Sequence, residues 1–173
     1  GRELPWDGEA SGALKVRGPW VAKGYYGLSD VPGDEGCPVD ENGWFDTGDV
    51  ASISADGFLK ITDRTKDVIK SGGEWISSIE IENAAVNHED IAEAAVIGRY
   101  HPKWTERPLL ICVLQEGKSL SSEEVLEFLK DKLHKMAIPD AVEFIDELPH
   151  TATGKINKLG LRQTFKNFEF PSA

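Results

Sequence analysis

The pattern of apolar residues changes near residue 62, and this change constrains the fold more than any other feature of the chain. Before it, the sequence is rich in glycine and tryptophan, and its apolar runs are short and alternating, as in Ala13–Arg17. Val50–Ile53 and Phe58–Ile61 flank a turn at Asp56-Gly57, which is the pattern of a β-hairpin. We therefore expect a small antiparallel β region in the first third of the chain.

Helix starts in the second part are marked by two serines, each followed three residues later by a glutamate. Ser77 with Glu80, and Ser121 with Glu124, have the spacing of a capping box, in which each residue satisfies a free backbone N–H of the other. Apolar residues follow each pair at helical spacing, so a helix is predicted after each serine. The second helix is expected to continue to Met136.

Three apolar runs between and after these helices predict strands. They are Ala94–Ile97, Leu109–Leu114 and Val142–Ile145, and a last helix is expected to begin near Lys158. Alternating strands and helices of this kind indicate a compact α+β domain in which a short sheet is flanked by helices.

The charged segment between the two patterns has the composition of a hinge. Hinges are short and polar, and they connect rigid elements. We predict a β-rich region over residues 1–62, a hinge over 63–67 and the α+β domain over 68–173. The sequence begins at Gly1 and not at methionine, so we expect it to be part of a longer protein.

Composition excludes several classes of function. The net charge is −11, which disfavours a nucleic-acid surface, and no apolar run approaches membrane-spanning length. Cys37 and Cys112 are far apart in sequence, a usage that predicts a reducing cytoplasmic environment and not a disulfide framework. The four histidines share no ligand spacing with these cysteines, so no structural zinc site is expected.

A flexible loop near the end of the chain presents one lysine. Pro149–Lys155, which we call the lysine loop, is rich in threonine and ends in Gly154-Lys155. Glycine and small polar residues allow a backbone to approach a ligand, and an ammonium there suits phosphate or carboxylate oxygens. The alternative is an ordinary surface turn before the last helix.

Two further segments have a possible chemical role. Asp49 follows a tight Thr47-Gly48 corner, and an exposed carboxylate there could accept two hydrogen bonds from vicinal ribose hydroxyls or could only cap the turn. The turn at Gly72-Gly73, the glycine turn, has no side chains that would block a slender ligand. It is also expected to connect the two strands of a hairpin.

These segments together resemble the adenylate-forming superfamily, which includes acyl-CoA synthetases, luciferases and peptide-synthetase adenylation domains. The resemblance rests on their order: Gly43–Asp49, then Thr62–Ile76, then the lysine loop, with Gly18–Tyr26 as a further similar segment upstream. It covers nearly the whole chain. The run Gly72–Ser78 is most similar to the branch that acts on medium- or long-chain fatty acids.

The resemblance implies two reactions with ATP and CoA as co-substrates. ATP and a fatty acid give an acyl-adenylate and pyrophosphate, and CoA then displaces AMP while the small C-terminal domain rotates on its hinge. Lys155 matches the catalytic lysine of adenylation. Asp49 and Arg64 match the ribose-binding pair, and Lys66 matches the hinge residue.

The glycine turn matches the family's CoA tunnel. Gly73, with Gly72 beside it, is expected to line the path of the pantetheine arm of CoA. Trp104 lies where some aryl-CoA ligases place a tryptophan against CoA, although it could equally be a half-buried surface aromatic. Many members have an arginine three residues after the catalytic lysine; here it is Lys158, and we expect the change to have little effect because both residues are cationic.

Other family segments are absent from the sequence: the phosphate-binding loop, and the segment that holds adenine and Mg²⁺. The resemblance therefore implies that residues 1–62 are the last β portion of a large adenylation domain, and that the chain carries no metal ligands. We expect it to be inactive without that domain. Because its β region is built to pack on a larger body, we also expect the isolated chain to self-associate.

Two other functions remain open at this stage. The first is a stand-alone module that binds CoA or a partner protein on the same scaffold, because fold resemblance does not establish activity. The second is a peptide-synthetase adenylation domain or a luciferase-like enzyme, which we rank below a fatty-acid CoA ligase.

Overall fold

The polypeptide divides between Lys66 and Asp67 into two units, each with its own sheet. The computed structural model describes residues 2–28, 31–32 and 36–171. The division lies within the segment 63–67, for which the sequence predicts a hinge. Bending of the chain at this segment stays a prediction.

Three antiparallel strands form the sheet of the first unit, in the order β1-β2-β3. They are β1 (Gly12–Val16), β2 (Phe45–Ile53) and β3 (Leu59–Arg64). Val50, Ala51 and Ser52 are buried near the end of the central strand, whereas Leu59 and Ile61 on the edge strand β3 are exposed. The first unit is thus a thin sheet with much of its apolar surface open.

The predicted hairpin between β2 and β3 is confirmed. Ser54 begins the turn, where its carbonyl accepts a hydrogen bond from the Gly57 N–H at 2.9 Å and its N–H donates to the Phe58 carbonyl at 3.0 Å. Gly57 has a φ of 83°, a conformation that residues with a Cβ rarely adopt. The Asp-Gly signal therefore marked the turn correctly.

Five strands form the sheet of the second unit, and the predicted α+β class is confirmed. The strands are β4 (Ile69–Ser71), β5 (Glu74–Ile76), β6 (Ile91–His101), β7 (Thr105–Leu114) and β8 (Ala141–Phe144). The order β5-β4-β7-β6 is antiparallel, and β8 pairs with β7 in parallel. Since β6 occupies one edge of β7, both β4 and β8 lie on the other edge, with β4 at Thr105 and β8 at Leu109–Cys112.

Three helices cover this sheet. They are α1 (Ser78–Ala85), α2 (Ser122–Lys130) and α3 (Lys158–Thr164), with a short 3₁₀ helix at Lys135–Ala137. None of the helices in the described part of the chain has the length and apolar character that crossing a lipid bilayer requires.

Alternate residues of the central strands belong to two different apolar cores. Leu110 and Cys112 of β7 pack in the core that includes α1 and α2, whereas Leu109 and Ile111 pack in the core that includes α3. All four are completely buried, and each of the aliphatic side chains contributes about 1.5–3 kcal/mol relative to exposure. A strand buried on both faces explains why the sequence shows a continuous apolar run there.

The capping signals locate the helix starts. Ser77 Oγ accepts a hydrogen bond from the Glu80 N–H at 3.2 Å before α1. Before α2, Ser121 and Glu124 form both bonds of the capping box, with the Ser121 N–H donating to Glu124 Oε2 at 2.8 Å. This hydrogen bond is the main cause that lowers the pKa of Glu124 below its usual value.

The expected continuation of α2 to Met136 is wrong. The helix ends at Lys130, and His134 takes an extended backbone conformation before the 3₁₀ helix. The Met136 carbonyl instead accepts a hydrogen bond from Arg107 Nη1 at 2.7 Å. Leu133 is still buried in the core, so the apolar spacing indicated the buried positions correctly but not the helix end.

Helix α3 is also tied to the start of the second unit. Arg162 Nη2 lies 2.7 Å from Asp67 Oδ1, and both side chains are largely buried. The first residue of the unit is therefore held against the helix that follows the lysine loop.

Candidate functional site

The lysine loop is a tight turn stabilised by backbone hydrogen bonds. His150 and Ile156 form an antiparallel bridge at its base, and the Thr151 N–H donates to the Lys155 carbonyl at 2.7 Å. The Gly154 N–H donates to the Thr151 carbonyl at 2.9 Å, and Gly154 has a φ of 78°. These contacts fix the backbone of Lys155 while its side chain extends outward.

Lys155 is exposed, and no ion pair among the described residues includes it. An ammonium on a fixed backbone, without an internal carboxylate partner, is suited to bind an external anion. The sequence predicted such a placement, and burial of this ammonium in an internal ion pair would have been incompatible with a role in adenylation.

Lys158 has a different environment from Lys155. Its Nζ lies 2.8 Å from Glu82 Oε1 and donates to Ser78 Oγ at 2.7 Å, and only 13% of its side chain is exposed. Glu82 Oε1 also accepts a hydrogen bond from the Val96 N–H at 2.7 Å. Lys158 thus joins the start of α3 to α1 and β6, a structural role that sequence reasoning missed because Glu82 is remote in the chain.

Asp49 and Arg64 are brought together by the register of the first sheet. They are direct cross-strand partners on β2 and β3, and Arg64 Nε lies 3.0 Å from Asp49 Oδ1. The Asp49 N–H donates to Thr47 Oγ1 at 3.1 Å, and the Thr65 N–H donates to the Gly48 carbonyl at 2.9 Å. The carboxylate is therefore oriented by its neighbours and retains acceptor capacity for hydroxyl groups.

The glycine turn connects β4 and β5 as the predicted hairpin. Ser71 and Glu74 are the last paired residues, and Gly72 and Gly73 between them have φ values of 57° and 93°. Two consecutive positive φ values are typical of the type I′ turn, which favours glycine at both positions. A Cβ on Gly73 would have no heavy atom within 4 Å, so one side of the turn is open.

Trp104 lies directly against the glycine turn. The Gly72 N–H donates to the Trp104 carbonyl at 2.9 Å, and a Cβ on Gly72 would lie 2.7 Å from Cε3 of the Trp104 ring. Lys103 Nζ lies 4.7 Å from the centroid of the same ring. The structure therefore brings Gly72 and Trp104 together; their contact with CoA stays a prediction.

Lys66 is exposed at the end of the first unit. Its role as the hinge residue stays a prediction. Lys155 and the glycine turn both belong to the second unit, on different connections: the first between β8 and α3, the second between β4 and β5.

No group of three or more His, Cys, Asp and Glu residues within the described ranges is placed to hold a metal ion.

Comparison with known proteins places these features in a family. Residues 80–155 match the model of the AMP-binding enzyme C-terminal domain. The chain is 52% identical over 167 residues to a 3-methylmercaptopropionyl-CoA ligase of Ruegeria lacuscaerulensis, which covers 96% of this chain and 30% of that protein. It is 49% identical over 165 residues to a medium-chain-fatty-acid–CoA ligase of Ectopseudomonas oleovorans, covering 95% of this chain and 29% of that protein.

Solved structures show the same fold. ATP-bound MatB from Rhodopseudomonas palustris superposes with a TM-score of 0.82 at 32% identity, covering 96% of this chain and 32% of that one. The chain belongs to the adenylate-forming enzyme family and is a C-terminal portion of such an enzyme. It spans about 30% of the length of the curated relatives it matches.

Proposed function

We propose that this chain is the part of an ATP-dependent acyl-CoA ligase that supplies the adenylation lysine and one wall of the CoA path. The observation that carries the proposal is the placement of Lys155, whose backbone is fixed by the lysine loop and whose ammonium is exposed without an internal ion pair in the described structure. Relatives that are CoA ligases, similar over almost the entire chain, support the same activity.

In the first half-reaction, a carboxylate oxygen of the acid forms a bond to the α-phosphorus of ATP. The bond from that phosphorus to the bridging oxygen breaks, and pyrophosphate leaves. Negative charge moves onto the oxygens around the α-phosphate, and the Lys155 ammonium stabilises it electrostatically. Lys155 is not a base in this step, because the carboxylate already carries its negative charge.

In the second half-reaction, the sulfur of CoA forms a bond to the acyl carbonyl carbon of the adenylate. The bond from that carbon to the phosphate oxygen breaks, AMP leaves, and the thiol proton is released to solvent. The glycine turn with Trp104 provides the wall along which the pantetheine arm reaches the acyl group. A turn without side chains leaves room for that arm.

The Asp49–Arg64 pair would bind the ribose of the nucleotide. Arg64 orients the Asp49 carboxylate at 3.0 Å, and the carboxylate oxygens can accept hydrogen bonds from both ribose hydroxyls. Lys66 would be the residue about which the second unit rotates, so that the lysine loop and the glycine turn act in succession. Mg²⁺, where the complete enzyme uses it with ATP, would be held by residues outside this chain.

The proposed acid is a medium- or long-chain fatty acid, which the run Gly72–Ser78 favours. The second candidate is 3-methylmercaptopropionate, because a ligase for that acid is 52% identical to this chain. Both reactions need the same residues of this chain. Comparing kcat/KM for octanoate, palmitate and 3-methylmercaptopropionate in the complete ligase would distinguish them.

The test of the lysine is Lys155→Ala in the complete ligase. Pyrophosphate release from ATP and acid should fall by about a hundred- to a thousandfold, as for loss of one preorganised electrostatic contact. Thioester formation from a supplied acyl-adenylate should continue. Lys166→Ala, at another exposed lysine of the second unit, is the matched control and should retain both activities.

Survival of adenylation in Lys155→Ala would contradict the assignment. Loss of both half-reactions together with a lowered unfolding temperature would indicate a structural role for Lys155 instead.

The isolated chain is proposed to be inactive and to self-associate. It spans about 30% of its relatives, and its first unit exposes large apolar side chains, including Trp20 at 95% and Phe58 at 76%. Surfaces of this kind tend to mediate association. Light scattering should show a mass that rises with concentration, and a constant monomer mass would contradict the proposal.

The alternative of a stand-alone binding module predicts a different result. A module that binds CoA by itself should give a saturable calorimetric signal with the 173-residue chain, whereas one wall of a tunnel should bind CoA weakly. The proposed location is the cytoplasm, which is supported by the free Cys37 and Cys112.

A further inference from the structure

Among the described residues, the glycine turn is contacted on the Gly72 side and open on the Gly73 side. A Cβ on Gly73 would meet open space, whereas Gly72 is in contact with Trp104. Because two adjacent glycines have unusual conformational freedom, the shape of the turn must come from the contacts on the Gly72 side. Those contacts come from the consecutive residues 104–107, at the start of β7.

Three of these residues hold successive positions of the hairpin. The Trp104 carbonyl accepts from the Gly72 N–H at 2.9 Å, and Thr105 is the β-ladder partner of Ser71. The third contact lies one residue further along each strand: Glu106 Oε2 accepts a hydrogen bond from the Lys70 N–H at 3.1 Å. The hairpin is therefore attached to β7 along its length.

Thr105 has an unusual backbone conformation. Its φ is 73°, and no other non-glycine residue in the described part of the chain has a positive φ. A β-branched residue in this region is strained, and such strain persists only where surrounding contacts impose it. Thr105 pairs with His101 on one side and with Ser71 on the other, so the strained residue lies where β6, β7 and β4 meet.

Arg107 supports the glycine turn through a hydrogen bond to Ser71, the residue that precedes the turn. It is 6% exposed, and each of its five N–H donors has an acceptor. Nε and Nη2 bind the two carboxylate oxygens of Asp140 at 2.9 and 2.8 Å. The remaining donors reach the Ile138 carbonyl at 2.9 Å, the Met136 carbonyl at 2.7 Å and Ser71 Oγ at 3.2 Å.

At this edge of the sheet, β4 and β8 are connected through the side chain of Arg107. On β7, β4 pairs at Thr105 and β8 pairs from Leu109 onward, so Arg107 lies between the two pairing segments. Its guanidinium joins Ser71 on β4 to Asp140, which immediately precedes β8. Since all its donors are used internally, Arg107 is not available to bind a substrate directly.

We propose that Arg107 and Thr105 are positioning residues for the thioester-forming step, because they hold the glycine turn and Trp104 in the shape that admits the pantetheine arm. This inference rests on the proposed function, since it requires that CoA pass along the glycine turn. It assigns a role to two residues that need not touch any reactant.

The first test is Ser71→Ala in the complete ligase. The variant removes one hydroxyl and leaves one buried N–H of Arg107 without its partner, next to the turn. We expect the KM for CoA to rise about tenfold, because an unpaired buried donor beside the turn is costly and favours its displacement, while adenylation is unchanged. Ser122→Ala is the matched control. Ser122 is the first residue of α2, away from the turn, and its Oγ likewise makes one hydrogen bond, to the Val142 carbonyl of β8 at 3.0 Å.

The second test is Thr105→Gly, which separates positioning from stability. Glycine adopts a positive φ without strain, so the midpoint of thermal unfolding should stay within a few degrees of the parent or rise. The KM for CoA should nevertheless increase, because the junction becomes less rigid. A purely structural role predicts no change in KM when the unfolding midpoint is retained.

The third variant is Arg107→Lys. Lysine keeps the positive charge but cannot make the bidentate contact to Asp140. It should be less stable than the parent and should raise the KM for CoA. An unchanged KM for CoA in both Ser71→Ala and Thr105→Gly would overturn the inference. A parent ligase that makes acyl-adenylate but no CoA thioester would instead overturn the proposed function.

Discussion

Alanine substitution of the two adjacent glycines should have different consequences. In Gly73→Ala, the new methyl group meets no heavy atom within 4 Å, so the cost is the positive φ of 93° alone. In Gly72→Ala, the methyl would lie 2.7 Å from Trp104 Cε3, closer than two non-bonded carbon atoms approach in folded proteins. The ring must therefore move.

The magnitudes follow from these geometries. A positive φ costs an L-residue about 1–2 kcal/mol, of which about 0.4–1 kcal/mol is regained because alanine restricts the unfolded chain. Gly73→Ala should thus lose about 1 kcal/mol of unfolding free energy. Displacing the Trp104 ring adds about 1–3 kcal/mol, as for other overpacked sites. For a unit of this size, each kcal/mol corresponds to roughly 4–8 °C in the unfolding midpoint.

The assay combines calorimetry of the 173-residue chain with the two half-reactions of the complete ligase. Gly73→Ala should unfold close to the parent and should retain adenylation, but it should lose thioester formation because its methyl projects into the CoA path. Gly72→Ala should unfold at a clearly lower temperature. Equal midpoints for the two variants would refute the packing of Trp104 on Gly72. Normal thioester formation by Gly73→Ala would refute the CoA path.

Three further outcomes are expected. Burial raises the pKa of the Cys112 thiol to about 12, so Cys112 should resist a thiol reagent at pH 8 in the folded chain and react on unfolding. The labelling is followed by mass spectrometry, and rapid labelling of Cys112 in the folded chain would contradict its burial. The hydrogen bond from the Ser121 N–H lowers the pKa of Glu124. The contribution of the Glu124 carboxylate to α2 is therefore present above the ordinary carboxyl pKa and is lost as the pH falls through the lowered pKa. The amide-exchange protection factors of α2, which compare the folded with the unfolded chain, should fall over this pH range in the parent and should not do so in Glu124→Gln. Asp49→Asn should raise the KM for ATP in the complete ligase about tenfold, because an amide offers one acceptor oxygen where the carboxylate offers two. An unchanged KM for ATP would contradict the proposal that Asp49 binds the ribose.

Local signals in the sequence were sufficient for most of the fold. The Asp56-Gly57 turn, the capping serines and the alternation of apolar residues depend on neighbours within a few positions, and the structure contains each of them. The lysine loop was predicted for the same reason, since its turn is closed by hydrogen bonds between Thr151 and Lys155.

Contacts between distant residues could not be predicted in this way. From the sequence alone, Arg107 is an ordinary charged residue beside a predicted strand. Its partners Ser71 and Asp140 lie 36 and 33 positions away, so no local pattern indicates these contacts. The end of α2 is misplaced in the prediction because Leu133 and Met136 continue the helical spacing of apolar residues, although the helix itself ends at Lys130. Register alone brings Asp49 opposite Arg64, and the sequence identified that pair only through its resemblance to a family.

Because alternate side chains of β7 pack in two separate cores, this strand cannot easily accept an inserted or deleted residue. Inserting a single residue between Leu109 and Cys112 would transpose every following side chain to the opposite face and mismatch both cores at once. Insertions and deletions are therefore expected in the connections between strands and helices, where they do not disturb this parity.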